Sequence, residues 1–212
     1  MLDYILDKIT ISLPIILPII ILICSTIIYW RSDKAFRLSE HEGIKYFRNT
    51  FGAFAIMMIS NILSQIVTSK LIILFLYSIN RAALIMASLY FIYSLIWKRI
   101  NLKGAHNQLL MIMAYLFAIL LGIIQALDGV DYAMPLIPLI AFGASVLIIA
   151  FSKPAQNRII FMIAAILLFC MTIIIEISAW NNNPLFNILS STFILVGFLI
   201  ILFIIIKRTR GL

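Results

Sequence analysis

Two opposite charges lie inside long apolar segments of this chain, Arg81 in the third segment and Glu176 in the sixth. A charge at membrane depth costs about 2.5–3.5 kcal/mol on insertion scales, so it is expected to be paired or hydrated. A guanidinium attracts a carboxylate, which makes Arg81 either the partner of Glu176 or a binding group for an anionic ligand. Uncharged polar residues share the apolar segments with these charges: Asn61, Gln65, Asn80, Gln125, Ser190 and Ser191.

Two interpretations of this polar cluster follow from the residues alone. In the structural interpretation, Arg81 and Glu176 join the third and sixth segments, or both reach out to the membrane surface. In the functional interpretation, the cluster lines an outward-facing polar pocket whose ligand the sequence does not identify. Asn61 and Gln65 are four residues apart, which places them on one face of a helix.

Other chemistries find no support in the sequence. The two histidines, His41 and His106, are far apart, and no HExxH, CxxC or histidine cluster is present, so we predict no metal site. There is no Walker A motif, no glycine-rich dinucleotide loop and no serine in a GxSxG context. The last apolar segment contains no lysine before Lys207, which argues against a retinal Schiff base. We therefore expect no cofactor, no catalytic residue and no enzymatic activity.

Seven apolar runs must position the polar cluster. Hydrophobic residues make up 64% of the 212 residues and charged residues 11%, whereas a soluble domain has about 25% charged residues. A helix needs about 20 apolar residues to cross a membrane, and its backbone groups are then satisfied internally. We predict an all-α, multi-pass bundle that forms a single domain over residues 1–212. The predicted spans are roughly 9–30, 49–68, 72–97, 107–127, 133–151, 159–180 and 186–206.

The basic residues predict the orientation of this bundle in the cell membrane. Most of the 16 lysines and arginines fall after the first, third, fifth and seventh runs. The positive-inside rule then places the amino terminus outside and the carboxyl terminus in the cytoplasm. The polar cluster lies in the outer halves of the spans under this orientation. The net charge of +8 is explained by these connections, so we expect the lipid bilayer, and no nucleic acid, as a partner.

The longest basic connection, residues 31–48, is the candidate surface for a protein partner. Ser39 and Glu42 have the spacing of a capping box, which predicts a helix that starts near Glu40 and enters the second span. The connection could lie against anionic lipid headgroups, or it could dock a membrane or cytoplasmic protein.

Prolines occur in the first and fifth predicted spans, near the ends that we place outside. Pro14 and Pro18 lie in the first span, and Pro135 and Pro138 lie in the fifth. Proline is tolerated in the first turn of a helix and kinks it further in. These residues therefore mark either helix starts or kinks that open a cavity.

The segment IIYWRSDKAFRLSEHEGIKYFRNTFGAF, residues 27–54, resembles the seven-helix membrane sensor modules of microbial histidine kinases and related signalling proteins. In it a first helix ends in an aromatic residue and Arg31, a basic linker follows, and Phe47 leads into the second helix. The resemblance implies a sensor or binding module. Nothing like a kinase or cyclase domain follows Arg210, so such a module would signal through a separate partner.

An accessory subunit of a larger membrane complex, or a small solute carrier, is the competing hypothesis for the function. In that case the polar cluster would serve assembly rather than recognition of a ligand.

Overall fold

A computed structural model describes the backbone of residues 2–100, 105–128, 136–151, 158–181 and 184–209, and side chains within these ranges. In these ranges the chain forms seven α-helices and no strand, which confirms the predicted all-α class. The helices are α1 (Leu2–Ser39), α2 (Glu42–Ile66), α3 (Lys70–Ile100), α4 (Ala105–Asp128), α5 (Leu136–Phe151), α6 (Arg158–Asn181) and α7 (Pro184–Thr209).

Four helical segments are long and apolar enough to cross a membrane, counted over the residues whose side chains are described. These segments are Ile15–Ser39, Glu42–Ile66, Lys70–Ile96 and Ile188–Lys207. The apolar stretches described in α4, α5 and α6 are shorter: Met111–Ile124, Ile137–Phe151 and Met162–Ile174. The number of seven spans and their orientation therefore stay predictions.

The connection between α1 and α2 is a tight helical hairpin, not the long linker with a capping box that the sequence predicts. Ser39 is the last residue of α1, and its hydroxyl donates to the carbonyl of Ala35 at 2.9 Å. Glu40 adopts a left-handed conformation with φ of 50°, and α2 begins at Glu42 without a side-chain cap. The capping-box prediction is wrong because Ser39 is held by the preceding helix. The predicted helix entering the second span is present.

The packing of the helices closes a ring. In chain order α1, α2 and α3 pack as neighbours, α5 packs on α3, and α6 and α7 return to α1. Among the described residues α4 packs against α3 alone, outside this ring. Most of its large apolar side chains, such as Met113, Leu116 and Leu120, are therefore exposed, as suits a surface that faces lipid.

Phenylalanines from four helices fill the centre of the ring. Phe54 of α2 lies edge-on to Phe198 of α7, with ring centroids 5.0 Å apart. Phe142 of α5 is 6.4 Å from Phe54 and 5.7 Å from Phe91 of α3. All four side chains are buried. Such aromatic pairs add about 0.5–1.5 kcal/mol each beyond their buried area. Here they hold α2, α3, α5 and α7 together.

Small residues let α4 approach the backbone of α3. Gly122 lies where a Cβ atom would be 2.6 Å from the carbonyl oxygen of Ser78 and 3.1 Å from the Cβ of Ala82. Ala118, one turn earlier on α4, is fully buried. Small residues four apart are the usual means of close helix packing in membranes.

The helix-start interpretation of the prolines holds in α5 and fails in α1. α1 begins at Leu2, so Pro14 and Pro18 lie several turns inside the helix, and the helix-start interpretation is wrong for both. Pro138 lies in the first turn of α5, as a helix-start proline should. Pro135 lies outside the described residues.

Candidate ligand-binding cavity

A polar cavity of about 490 Å³ opens among α1, α2, α3 and α7. It lies at the end of the bundle where α2 ends and α3 begins. α2 contributes the segment from Met57 to Gln65, which covers about 12 Å of helix axis at 1.5 Å per residue. The complete lining is Pro18, Met57, Met58, Asn61, Ser64, Gln65, Leu76, Tyr77, Asn80, Arg81, Leu84, Ser190, Ser191 and Ile194.

Six of the eight sequence-predicted site residues line this one cavity. They are Asn61 and Gln65 on α2, Asn80 and Arg81 on α3, and Ser190 and Ser191 on α7. Gln125 lies on α4 and Glu176 on α6, but their side chains are outside the described part of the structure. The predicted pair between Arg81 and Glu176 therefore stays a prediction.

Arg81 is the one charged side chain among the described residues that line the cavity. Its residue surface is only 9% exposed. One Nη atom donates to the Tyr77 hydroxyl at 2.6 Å, and the guanidinium carbon lies 4.9 Å from the centroid of the Tyr77 ring. The tyrosine is one turn earlier on the same helix, so it orients the guanidinium by a hydrogen bond and a cation–π contact.

Two of the polar residues bind α2 to α3 below the mouth of the cavity. The Asn80 amide donates to the carbonyl of Met57 at 3.0 Å. The buried Ser60 hydroxyl donates to the carbonyl of Leu76 in the opposite direction. Interhelical hydrogen bonds of this kind are worth about 0.6–2 kcal/mol in membrane proteins. Asn80 therefore has a structural contact in addition to its place on the wall.

The mouth of the cavity carries amide and hydroxyl groups on the last turns of α2. The Gln65 amide donates to the side-chain oxygen of Asn61 at 3.2 Å, and the Ser64 hydroxyl donates to the Asn61 carbonyl at 2.7 Å. Gln65 is exposed, whereas Ser190 on the α7 wall is buried. The polar groups thus extend from the mouth into the bundle.

Sequence reasoning missed several residues of this wall. Ser64 lies between two predicted residues, and its position on the last turn of α2 was the available signal. The apolar lining residues, such as Met57 and Ile194, carry no sequence signal that separates them from core residues. Pro18 is the residue of α1 that lines the cavity.

The described residues contain no group of three or more His, Cys, Asp or Glu side chains that could hold a metal ion. Comparison of the chain with protein-family models, curated proteins and solved structures gives no match. One buried cation, several amides and hydroxyls, and an apolar floor can hold a small molecule that has an anionic group and an apolar body.

Proposed function

We propose that this chain is a non-enzymatic integral membrane protein of the cell membrane that recognises a small anionic ligand and signals through a partner protein. It crosses the membrane seven times, with the amino terminus outside and the carboxyl terminus in the cytoplasm. The cavity then opens to the outside. The observation that carries the proposal is the buried, oriented guanidinium of Arg81 on the wall of a polar cavity.

The size and lining of the cavity support a small ligand. A volume of about 490 Å³ lies within the range of about 300–1,000 Å³ that is usual for small-molecule sites. Arg81 offers the charge, Ser190 and Ser191 offer hydroxyls, and Met57 and Ile194 offer apolar contact. A carboxylate attached to a short apolar chain could contact the charge, the hydroxyls and the apolar side chains together.

The helices that line the cavity also support a signalling role. α1 and α2 run from the cavity to the helical hairpin at residues 31–48, where their ends are joined by an ion pair. Arg48 of α2 donates to the Asp33 carboxylate of α1 at 2.5 Å. Along α1, Pro18 and Asp33 are about 22 Å apart at 1.5 Å per residue. A ligand that shifts α1 against α2 would therefore alter the hairpin, which is the proposed surface for the partner.

Ligand recognition is tested with short straight-chain carboxylates, each compared with the primary amide of the same length. We expect carboxylates, and not the amides, to raise the melting temperature of the purified protein in detergent. Arg81→Gln should weaken their binding by about 10–100-fold, since hydrogen bonds to charged groups are worth about 1.5–3 kcal/mol. Lys70→Gln, at an exposed lysine of α3 outside the cavity, is the matched control and should bind as the wild type does.

Equal shifts with carboxylates and amides would contradict the assignment of Arg81 as the recognition group. No shift with any compound, together with stable co-purification of another membrane subunit, would favour the accessory-subunit hypothesis. Uptake of a carboxylate into vesicles that contain the purified protein would favour the solute carrier instead.

The proposed orientation predicts the accessibility of introduced cysteines. Asn182 follows the sixth predicted span and Arg210 follows the seventh, so they belong on opposite sides of the membrane. In intact cells a membrane-impermeant thiol reagent should label Asn182→Cys and leave Arg210→Cys unlabelled. The converse labelling would reverse the orientation and turn the cavity toward the cytoplasm.

A further inference from the structure

A second, more apolar groove of about 370 Å³ lies on the flank of the bundle between α2 and α4, with α3 as its floor. Ile56 of α2 and Ile119 of α4 form its rims and are about half exposed, at 52% and 51%. The floor includes small side chains, Ala82 and Ala83. The complete lining is Tyr29, Asn49, Gly52, Ala53, Ile56, Ile79, Ala82, Ala83, Met86, Tyr90, Tyr115 and Ile119.

The groove has a polar end and an apolar end. Tyr29, Asn49, Tyr90 and Tyr115 lie toward the end of the bundle that carries the helical hairpin, and Ile79 lies toward the middle. From Ile79 to Tyr90 the axis of α3 rises about 16 Å at 1.5 Å per residue. Half of a hydrocarbon core of about 30 Å is about 15 Å. The length of the groove along α3 is therefore about the length of one acyl chain in a leaflet, and its polar side chains lie toward the hairpin end.

Arg48 does not line the groove, but its guanidinium contacts two residues at the polar end, Tyr29 and Asn49. The guanidinium carbon of Arg48 is 5.6 Å from the centroid of the Tyr29 ring. Its Nε and one Nη donate to the Asn49 side-chain oxygen, and the other Nη donates to Asp33. These three bonds use three of the five N–H donors of a guanidinium. The remaining two have no partner among the described residues.

Gly52 helps to form the polar end. A Cβ atom on Gly52 would be 3.2 Å and 3.3 Å from two carbons of the Tyr29 ring. The absence of that atom lets the Tyr29 ring lie against α2, where it forms one wall of the groove and supports the Arg48 guanidinium. A Cβ atom at this position would require the Tyr29 ring to shift by a few tenths of an ångström.

We infer that this groove binds an anionic phospholipid of the leaflet on the hairpin side, with one acyl chain along α3 and the phosphate at Arg48. Charge complementarity supports this occupant, because residues 31–48 contain five basic and three acidic side chains, and basic segments at a membrane surface attract anionic lipids. The inference requires the bundle to lie in a membrane. It does not require a ligand in the cavity among α1, α2, α3 and α7.

Native mass spectrometry of the detergent-purified protein tests the inference with phosphatidylglycerol and phosphatidylcholine of identical chains. We expect the wild type to bind one phosphatidylglycerol about tenfold more tightly, on the scale of one charge-assisted contact. Ile56→Trp fills the groove at its rim and should abolish this preference. Ile59→Trp is the matched control, since Ile59 is exposed on the same helix and does not line the groove.

Substitutions in the Arg48–Asp33 ion pair supply a second test, because they should change the preference for phosphatidylglycerol in opposite directions. Arg48→Gln should remove the preference for phosphatidylglycerol, whereas Asp33→Asn frees the guanidinium from its protein carboxylate and should increase the preference. Equal binding of both lipids by the wild type would overturn the inference. Retention of the preference in Ile56→Trp, or its loss in Ile59→Trp as well, would also overturn it. Carboxylate binding in the other cavity should be unchanged in Ile56→Trp, so the two proposals can fail separately.

Discussion

Arg81→Leu should lower the free energy of unfolding in detergent by about 3–5 kcal/mol, the usual cost of removing one partner of a buried ion pair. The side chain is buried and hydrogen-bonded to Tyr77, and its predicted partner is Glu176. In this predicted pair, loss of the guanidinium would leave the Glu176 carboxylate uncompensated at membrane depth. Glu176→Leu should cause a loss of similar size for the converse reason.

The double variant Arg81→Leu with Glu176→Leu separates the pair from two independent residues. Replacing both charges by apolar groups can be nearly neutral, so the double variant should melt at a higher temperature than either single variant. Additive losses would contradict the pair, since independent sites add within about 0.3–0.5 kcal/mol. A stable double variant that no longer responds to carboxylates would assign the pair to recognition, and one that keeps its assembly and response would assign it to structure.

Gly122→Ala should destabilise the protein although alanine favours helix formation. Overpacking costs about 1–3 kcal/mol, and here the added Cβ would meet the carbonyl oxygen of Ser78 at 2.6 Å, a backbone atom that cannot rotate away. The gain in helix propensity is only about 1 kcal/mol. Because the contact is with backbone, we expect a cost near the upper end of this range and a net loss of up to about 2 kcal/mol, measured by thermal unfolding in detergent.

Gly197→Ala is the matched control for Gly122→Ala. Its added Cβ would meet Leu167 at 3.6 Å and the carbonyl of Ala164 at 3.8 Å, which is ordinary van der Waals contact. The propensity term then dominates, and the variant should be stabilised by about 0.5–1 kcal/mol. Destabilisation by both substitutions would show that helix packing in this bundle does not tolerate an added methyl group at either glycine. The effect of Gly122→Ala could then not be attributed to the close approach of α4 to α3.

The all-α class and the approximate position of every helix could be predicted because apolar runs of this length have few alternatives in a membrane. The continuation of α1 to Ser39 could not be predicted in the same way, because the apolar run of the first span ends at Trp30. The extension is polar, and it is supported by contacts that hydropathy does not detect. Arg37 pairs with Asp33 one turn earlier, and Arg48 reaches Asp33 from the next helix.

The clustering of the cavity residues could be predicted in part because charge alternation assigns each polar residue a depth. The predicted depths of Asn61, Arg81 and Ser190 are similar, and the structure places the three residues around one cavity. It could not supply the order of the helices around the ring. That order depends on side-chain shape. The absence of a side chain at Gly122, for example, lets α4 pack closely on α3 outside the ring. The tyrosine-lined groove was missed because its residues come from four helices, without a common sequence pattern.

The cavity is built from both ends of the chain, with Pro18 on the first helix and Ser190 and Ser191 on the last. During synthesis the first three helices can therefore enter the membrane and pack long before the fourth wall exists. A nascent chain that stops before α7 lacks this wall and leaves the inner face of α1 uncovered. The proposed recognition of a ligand therefore requires α7 to be in place, because Ser190 and Ser191 supply one wall of the cavity.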